Sequence, residues 1–329
     1  MTRQHFDLAG LRLEVATDAP RMLVPLLSLI GEWEVPIEKG VDAQCRFSLI
    51  RGSVDASSPP ADVFFHGMIG DQGPFELSGN ADLWQVLSPD RLLARFDGRN
   101  GTVAFTVGPA CNGETLSIAT SYALDHILGA AGHVMVHAAC LETPDGNGRL
   151  VLHAPSGTGK TTTALALTDA GYRLCTDDAT ILTPTADGRV LVRGVPRPIK
   201  VHRKTERLFS WLGAMTDPAK WDEHGEQWVS RKALASKGCL APDDARPVVA
   251  VMALRRTGLP MQMTALNGAD ALTEIIEDNI NLGSAGLFPG HEERLDIYSR
   301  MLASAACYRL DINGPPGDVA ALIDVAVNT

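Results

Sequence analysis

Up to about Val107 the chain alternates short apolar runs with turn residues. LRLEV (11–15), CRFSLI (45–50), DVFFHGM (62–68), LLARFDG (92–98) and TVAFTVG (102–108) are apolar or alternate apolar with polar. Gly, Pro, Asp and Asn separate them, and runs punctuated in this way predict β-strands. One stretch, about Pro20 to Glu32, has helical spacing instead, through Met22, Leu26, Leu29 and Ile30. The polar segment RGSVDASSPPAD (51–62) reads as a loop.

Near Glu114 the pattern changes. SIATSYALDHILGAAG (117–132) predicts a helix ended by Gly132. VMVHAACLE (134–142) and LVLHA (150–154) predict buried strands on either side of the turn TPDGNGR. A glycine-rich loop, the helix TTTALALTDAG (161–171) and the strand RLCT (173–176) follow. Farther on, PVVAVMALRR (247–256) predicts a strand, and DALTEIIEDNINLG (270–283) and EERLDIYSRMLASAA (292–306) predict helices. CYRLDI (307–312) predicts a strand and DVAALIDVAV (318–327) a helix. Strand, loop, helix, strand is an α/β unit and implies a covered sheet. The expected boundary lies between Pro109 and Tyr122. It separates a β-rich α+β N-terminal domain, residues 1–112, from an α/β domain, residues 113–329.

The 329 residues exceed one typical core, and the apolar fraction of 45% with 21% charged residues predicts a folded chain. Thirty-nine acidic against 29 basic residues leave a net charge of -10. That balance argues against nucleic acid as a partner, because phosphate neutralisation needs a basic footprint. No apolar run approaches the roughly 18 residues of a membrane span, and no apolar stretch near residue 1 reads as a secretion signal. No membrane partner is therefore expected. Six scattered cysteines without a CxxC pair read as reduced, mostly buried thiols of a cytoplasmic protein, which argues against zinc held by cysteine.

The candidate chemistry lies at Ala154-Pro155-Ser156-Gly157-Thr158-Gly159-Lys160-Thr161. It matches the phosphate loop G-x-x-x-x-G-K-[ST] except that Ala154 replaces the first glycine. Gly157 and Gly159 let the backbone curl so that N–H groups face phosphate oxygens. A helix starting at Lys160 turns its positive end to the same anion, with Thr162 in its first turn. Lys160 supplies a cation for the β- and γ-phosphates, and the Thr161 hydroxyl is a Mg²⁺ ligand.

Seventeen residues after Lys160, Asp177 and Asp178 close the next predicted strand. Beside a phosphate loop, one carboxylate can hold Mg²⁺ and the other can take the proton of an attacking hydroxyl. Their mutual repulsion should raise one pKa.

GRLVLHAPSGTGKTTTALALTDAGYRLCTDDATIL resembles the core of bacterial HPr kinase/phosphorylase, whose catalytic domain is related to phosphoenolpyruvate carboxykinase. That resemblance implies an α/β fold with an HPr-kinase-like P-loop core, a mixed sheet, and ATP with Mg²⁺ as cofactors. It places His137, in Val136-His137-Ala138, near the γ-phosphate. It makes Asp177 the base that activates a serine hydroxyl and Asp178 its neighbour near the metal. Where the family carries Glu-Ile-Arg-Gly, this chain has Leu191-Val192-Arg193-Gly194, without the acid. Pro196-Arg197-Pro198-Ile199-Lys200 follows, with Arg197 and Lys200 as candidate phosphate contacts. CYRLDINGPPGDVAALI resembles the closing strand and helix of HPr-kinase-like proteins, lasso-peptide kinases among them.

The expected activity is transfer of the γ-phosphate of ATP to a hydroxyl, serine by resemblance, of a peptide or small protein. Two alternatives stand beside it: a small-molecule kinase on the same core, and a nucleotide-binding protein without catalysis, suggested by the missing Glu. The N-terminal domain carries no clustered chemistry, so acceptor recognition or homo-oligomerisation falls to it. Trp33, Phe64, Phe65, Phe75 and Trp84 are its candidate contact residues.

Overall fold

The computed structural model describes residues 1–36, 42–54, 63–68, 73–80, 82–279 and 291–328. The chain is mixed α/β, with two large mixed sheets and few helices. It divides into two compact units, residues 1–134 with 282–292 and residues 135–281 with 293–329.

The first unit is built on β1 (Thr2–Leu8), β2 (Leu11–Thr17), β3 (Glu34–Val35), β4 (Cys45–Arg51), β5 (Val63–Met68), β6 (Pro74–Gly79), β7 (Leu83–Ser88), β8 (Leu92–Asp97) and β9 (Thr102–Val107). These run in the sheet order β3-β1-β2-β4-β9-β8-β7-β6-β5. The alternation in β2 is followed by the fold: Leu11, Leu13, Val15 and Thr17 are buried, and the residues between them are half-exposed. β1 and β2 form a hairpin whose turn residues, Ala9 and Gly10, have φ of 60° and 93°. The Asp7 carboxylate accepts the Gly10 N–H at 2.6 Å, fixing that turn.

Helices α1 (Val24–Ile30) and α2 (Gly113–Ala130) bury Leu26, Ile30, Leu116, Ala119, Ala123, Leu124 and Ile127. The Asn112 side chain caps α2 by accepting the Thr115 N–H at 2.9 Å. Because α2 packs on α1, β8 and β9, it belongs to the first unit, and the division falls after Val134 rather than at 112/113. Trp33 is buried in the core of this unit. The Trp84 ring stacks on Phe96 at 3.8 Å and donates its indole N–H to His126 Nδ1 of α2 at 3.2 Å. Phe75 is half-buried, and Phe64 and Phe65 lie outside the residues whose side chains are described.

The second unit contains β10 (Val134–Val136), β11 (Ala138–Glu142), β12 (Arg149–His153), β13 (Arg173–Thr176), β14 (Thr180–Pro184), β15 (Val190–Gly194), β16 (Ile199–His202), β17 (Glu226–Val229), β18 (Arg246–Arg255), β19 (Gln262–Ala265) and β20 (Ala306–Asp311). Its helices are α3 (Lys160–Asp169), α4 (Arg203–Glu206), α5 (Arg231–Ser236), α6 (Gly268–Asn279), α7 (His291–Ala303) and α8 (Pro316–Asn328). The main sheet runs β10-β14-β15-β18-β12-β11-β13, with β20 on β18 and β19 on β20, while β16 and β17 form a separate ribbon. β12, β18 and β20 are parallel to one another, and β11 is antiparallel to both β12 and β13. Ligands of such sheets bind beyond the carboxyl ends of parallel strands.

The single strand expected over 134–142 is broken at His137, where the chain leaves the β14 side of the sheet and resumes between β12 and β13. The helix expected over 270–283 runs to Asn279, and 280–283 lie outside the described residues.

Beside the apolar core sits a buried ionic cluster. Arg149 and Glu142, 0% and 1% exposed, pair with each other, Arg173 joins Glu142, and Asp244 pairs with Arg149 at 2.7 Å. These contacts tie β11, β12 and β13 to the segment before β18. Removing one partner of such a buried pair typically costs about 3–5 kcal/mol. The six cysteines are free thiols, all but Cys111 buried. Among the described residues no helix is long and apolar enough to cross a membrane.

Candidate functional site

Three chain segments converge at one edge of the second sheet, and pairing register brings them there. Ala138 at the start of β11 is opposite His153 at the end of β12, and Cys140 is opposite Thr176 at the end of β13. His137, the loop after β12, and Asp177–Asp178 therefore emerge side by side.

The loop runs from the fully buried Ala154 to Gly159. Thr158 N–H donates to Pro155 O at 3.2 Å, closing a turn through Ser156 and Gly157. Gly157 has φ 76° and Gly159 φ 125°, backbone that side-chain-bearing residues rarely adopt. A Cβ at Gly159 would stand 3.1 Å from Ile312 Cδ1, so this position is also closed by packing. α3 begins at Lys160, and no side chain caps it. Its first-turn N–H groups face the loop, the arrangement that attracts anions.

Asp178 is a hub. Its Oδ1 is 3.1 Å from Lys160 Nζ and 2.5 Å from His137 Nε2, and its Oδ2 is 2.5 Å from Arg197 Nη2. Burial pushes its pKa up, but the His137 hydrogen bond and the charges of Arg197, His137 and Lys160 outweigh it, so the carboxyl stays ionised well below the usual range. His137 is held from behind, its backbone N–H donating to Asn279 Oδ1 of α6 at 2.6 Å.

Asp177 is different. It is 3% exposed, its Oδ2 accepts the Thr161 hydroxyl at 3.2 Å, and its Oδ1 has no hydrogen-bond partner among the described residues. Burial is the main cause that raises its pKa to about 6, with the Asp178 charge adding and Arg197 opposing. The two acids are thus driven apart in acidity: burial lifts Asp177, with repulsion from Asp178 a lesser cause, while the His137 hydrogen bond and the neighbouring cations hold Asp178 down. An orphaned, buried carboxylate oxygen costs free energy unless something arrives to use it.

Of the other sequence candidates, Thr162 shares a hydrogen bond with Thr205 of α4 at 3.0 Å, which ties the loop helix to the β16–β17 ribbon side. Lys200 is not at the site: its ammonium is engaged by Glu226 across that ribbon. Thr205 and Asn279 carry no motif, so nothing short of the fold singles them out. The same holds for Arg231, which donates to Cys175 O at 3.1 Å.

No group of three or more His, Cys, Asp or Glu side chains stands together to hold a metal among the described residues. Magnesium does not require one, since it keeps several waters and takes one or two carboxylates together with substrate phosphates. The Thr161 hydroxyl and the Asp178 carboxylate are hard oxygen donors of the kind it takes.

No family model matches the chain, and no curated protein matches it.

Proposed function

We propose that the second unit is an ATP- and Mg²⁺-dependent kinase of the HPr-kinase-like kind, transferring the γ-phosphate to a hydroxyl, serine by the resemblance above, of a peptide or small protein. The observation that carries this reading is the unpartnered Oδ1 of buried Asp177, one hydrogen bond from Thr161 in the first turn of an uncapped helix behind a glycine loop.

In this reading the N–H groups of Ser156, Gly157 and Gly159 and those of the first turn of α3, through Thr162, hold the phosphates, while Pro155, which has no N–H, and Thr158 close the loop's turn. Lys160 leaves Asp178 for the β- and γ-phosphates, exchanging one anion for another. Arg197 stays on Asp178 and keeps that carboxylate aimed. Thr161 and Asp178 would hold Mg²⁺, which neutralises charge on the phosphate oxygens. The acceptor oxygen attacks the γ-phosphorus as the bond to the β–γ bridging oxygen breaks. The acceptor proton passes to Asp177 Oδ1, which is mostly ionised above about pH 6. His137, paired with Asp178, is by the resemblance above the group beside the transferred phosphate.

The test is calorimetric titration of the protein with ATP and Mg²⁺, followed by measurement of ADP release in the presence of serine peptides. Saturable binding and peptide-dependent ADP release support the proposal. Binding without release would return the reading to a non-catalytic nucleotide-binding protein, and no binding would overturn both.

A further inference from the structure

The acidic residues and His137 occupy one flank of the loop, the side of β11 and β13. The other flank is formed by β18 and β20. Ala253 of β18 is in register with His153 of β12, and Arg255 with Asp311 of β20, so the ends of these strands reach the same sheet edge. Two consecutive arginines stand there and are treated differently. Arg255 is drawn to Glu274 of α6, which Arg309 also grips at 2.5 Å. Arg256 is exposed and, among the described residues, makes no hydrogen bond or ion pair. Its Nη2 lies 3.5 Å from where a Cβ on Gly159 would be, directly over the start of α3.

A guanidinium parked without an anion at the positive end of an uncapped helix is an unfavourable placement on its own. It becomes favourable when an anion arrives between the two. The neighbouring Asp177, 3% exposed with its Oδ1 unpartnered, independently marks the same loop as waiting for a ligand.

We infer that Arg256 is a second cation of this site and contacts the non-transferred α- and β-phosphates. This rests on the nucleotide reading above. The transferred phosphate must lie on the Asp177 flank, so the phosphate chain crosses the loop and its distal end falls on the β18 flank. There a planar, always-charged fork can hold two oxygens at once. Glycine at 159 serves both the backbone conformation and the approach of that side chain.

The test is equilibrium binding of ADP and, separately, of inorganic pyrophosphate, each with Mg²⁺, to the wild type, Arg256→Ala and Arg256→Lys. The expected result is about tenfold weaker binding of both ligands by Arg256→Ala, with part of each recovered by Arg256→Lys. Unchanged affinities in Arg256→Ala would overturn the inference and leave Arg256 a solvated cation. A loss for ADP alone would also overturn it, placing the side chain on the nucleoside instead. If the wild type binds neither ligand, the nucleotide reading itself fails, an outcome distinct from both.

Discussion

Replacing Asp177 by Asn should make the protein more stable and inactive together. The native carboxyl has its pKa raised to about 6 from 3.8, about two units. At about 1.36 kcal/mol per unit, the folded chain carries a penalty of about 3 kcal/mol once Asp177 is ionised. The sign follows from proton linkage: the native state binds this proton more tightly than the unfolded chain does. Stability is therefore present in full below about pH 4, and is lost as pH rises through about 6. Asp177→Asn has no proton to lose. Its amide oxygen still accepts the Thr161 hydroxyl. The variant should match the wild type near pH 4 and exceed it by up to about 3 kcal/mol at pH 8, read as a higher urea midpoint. In transfer assays it should lose the 10²–10⁴-fold that a general base typically supplies, with ATP affinity retained. An advantage that does not change with pH, or a variant less stable at pH 8, would refute the claim that burial strains this acid. Undiminished transfer would refute its role as base.

Lys160→Ala should weaken ATP binding at least tenfold and abolish turnover, measured by titration and ADP release, with folding intact because the ammonium's partner is the half-exposed Asp178. Asp178→Asn should raise the Mg²⁺ concentration needed for half-maximal transfer; if transfer stops even at saturating Mg²⁺, the roles of the two acids are exchanged. Gly159→Ala should cost about 1–3 kcal/mol in thermal or urea denaturation, from a φ of 125° and the 3.1 Å approach to Ile312. An unchanged midpoint would mean the loop relaxes freely.

Much of the site was legible because its elements are local. Strand, glycine loop, helix and the next strand follow one another in the chain, and each has its own signal: buried β-branched and Leu residues, positive-φ glycines, and a helix closed by Gly171. The topology around them was not. His137 reads from sequence as the middle of one strand, but the chain switches sheet neighbours there and leaves the ring partly exposed. The β14–β15 hairpin, too short for a clear period, lacked a signal, and so did β1. Lys200 looked like Arg197, since both are cations of the same short proline-bearing segment, Pro196 to Lys200. Their fates separate only because Glu226 lies across the ribbon from one and Asp178 beside the other. Arg256 ends a predicted strand and carries no motif, and its place beside the loop emerges only when β18 is laid parallel to β12. In the N-terminal unit the aromatic residues offered as contacts are in part structural: Trp33 is buried, and Trp84 is locked between Phe96 and His126.

Movement of a phosphoryl group onto a hydroxyl at this site is read with γ-labelled ATP, Mg²⁺ and a set of serine-bearing peptides. Wild type, Lys160→Ala and Asp177→Asn are compared, and the label is followed by mass and autoradiography. Label should appear on a serine oxygen with the wild type and not with Lys160→Ala, and Asp177→Asn should lose at least about 100-fold in rate. Label transfer by all three proteins at equal rates, or ATP bound by the wild type and never transferred to any hydroxyl, would contradict the kinase reading.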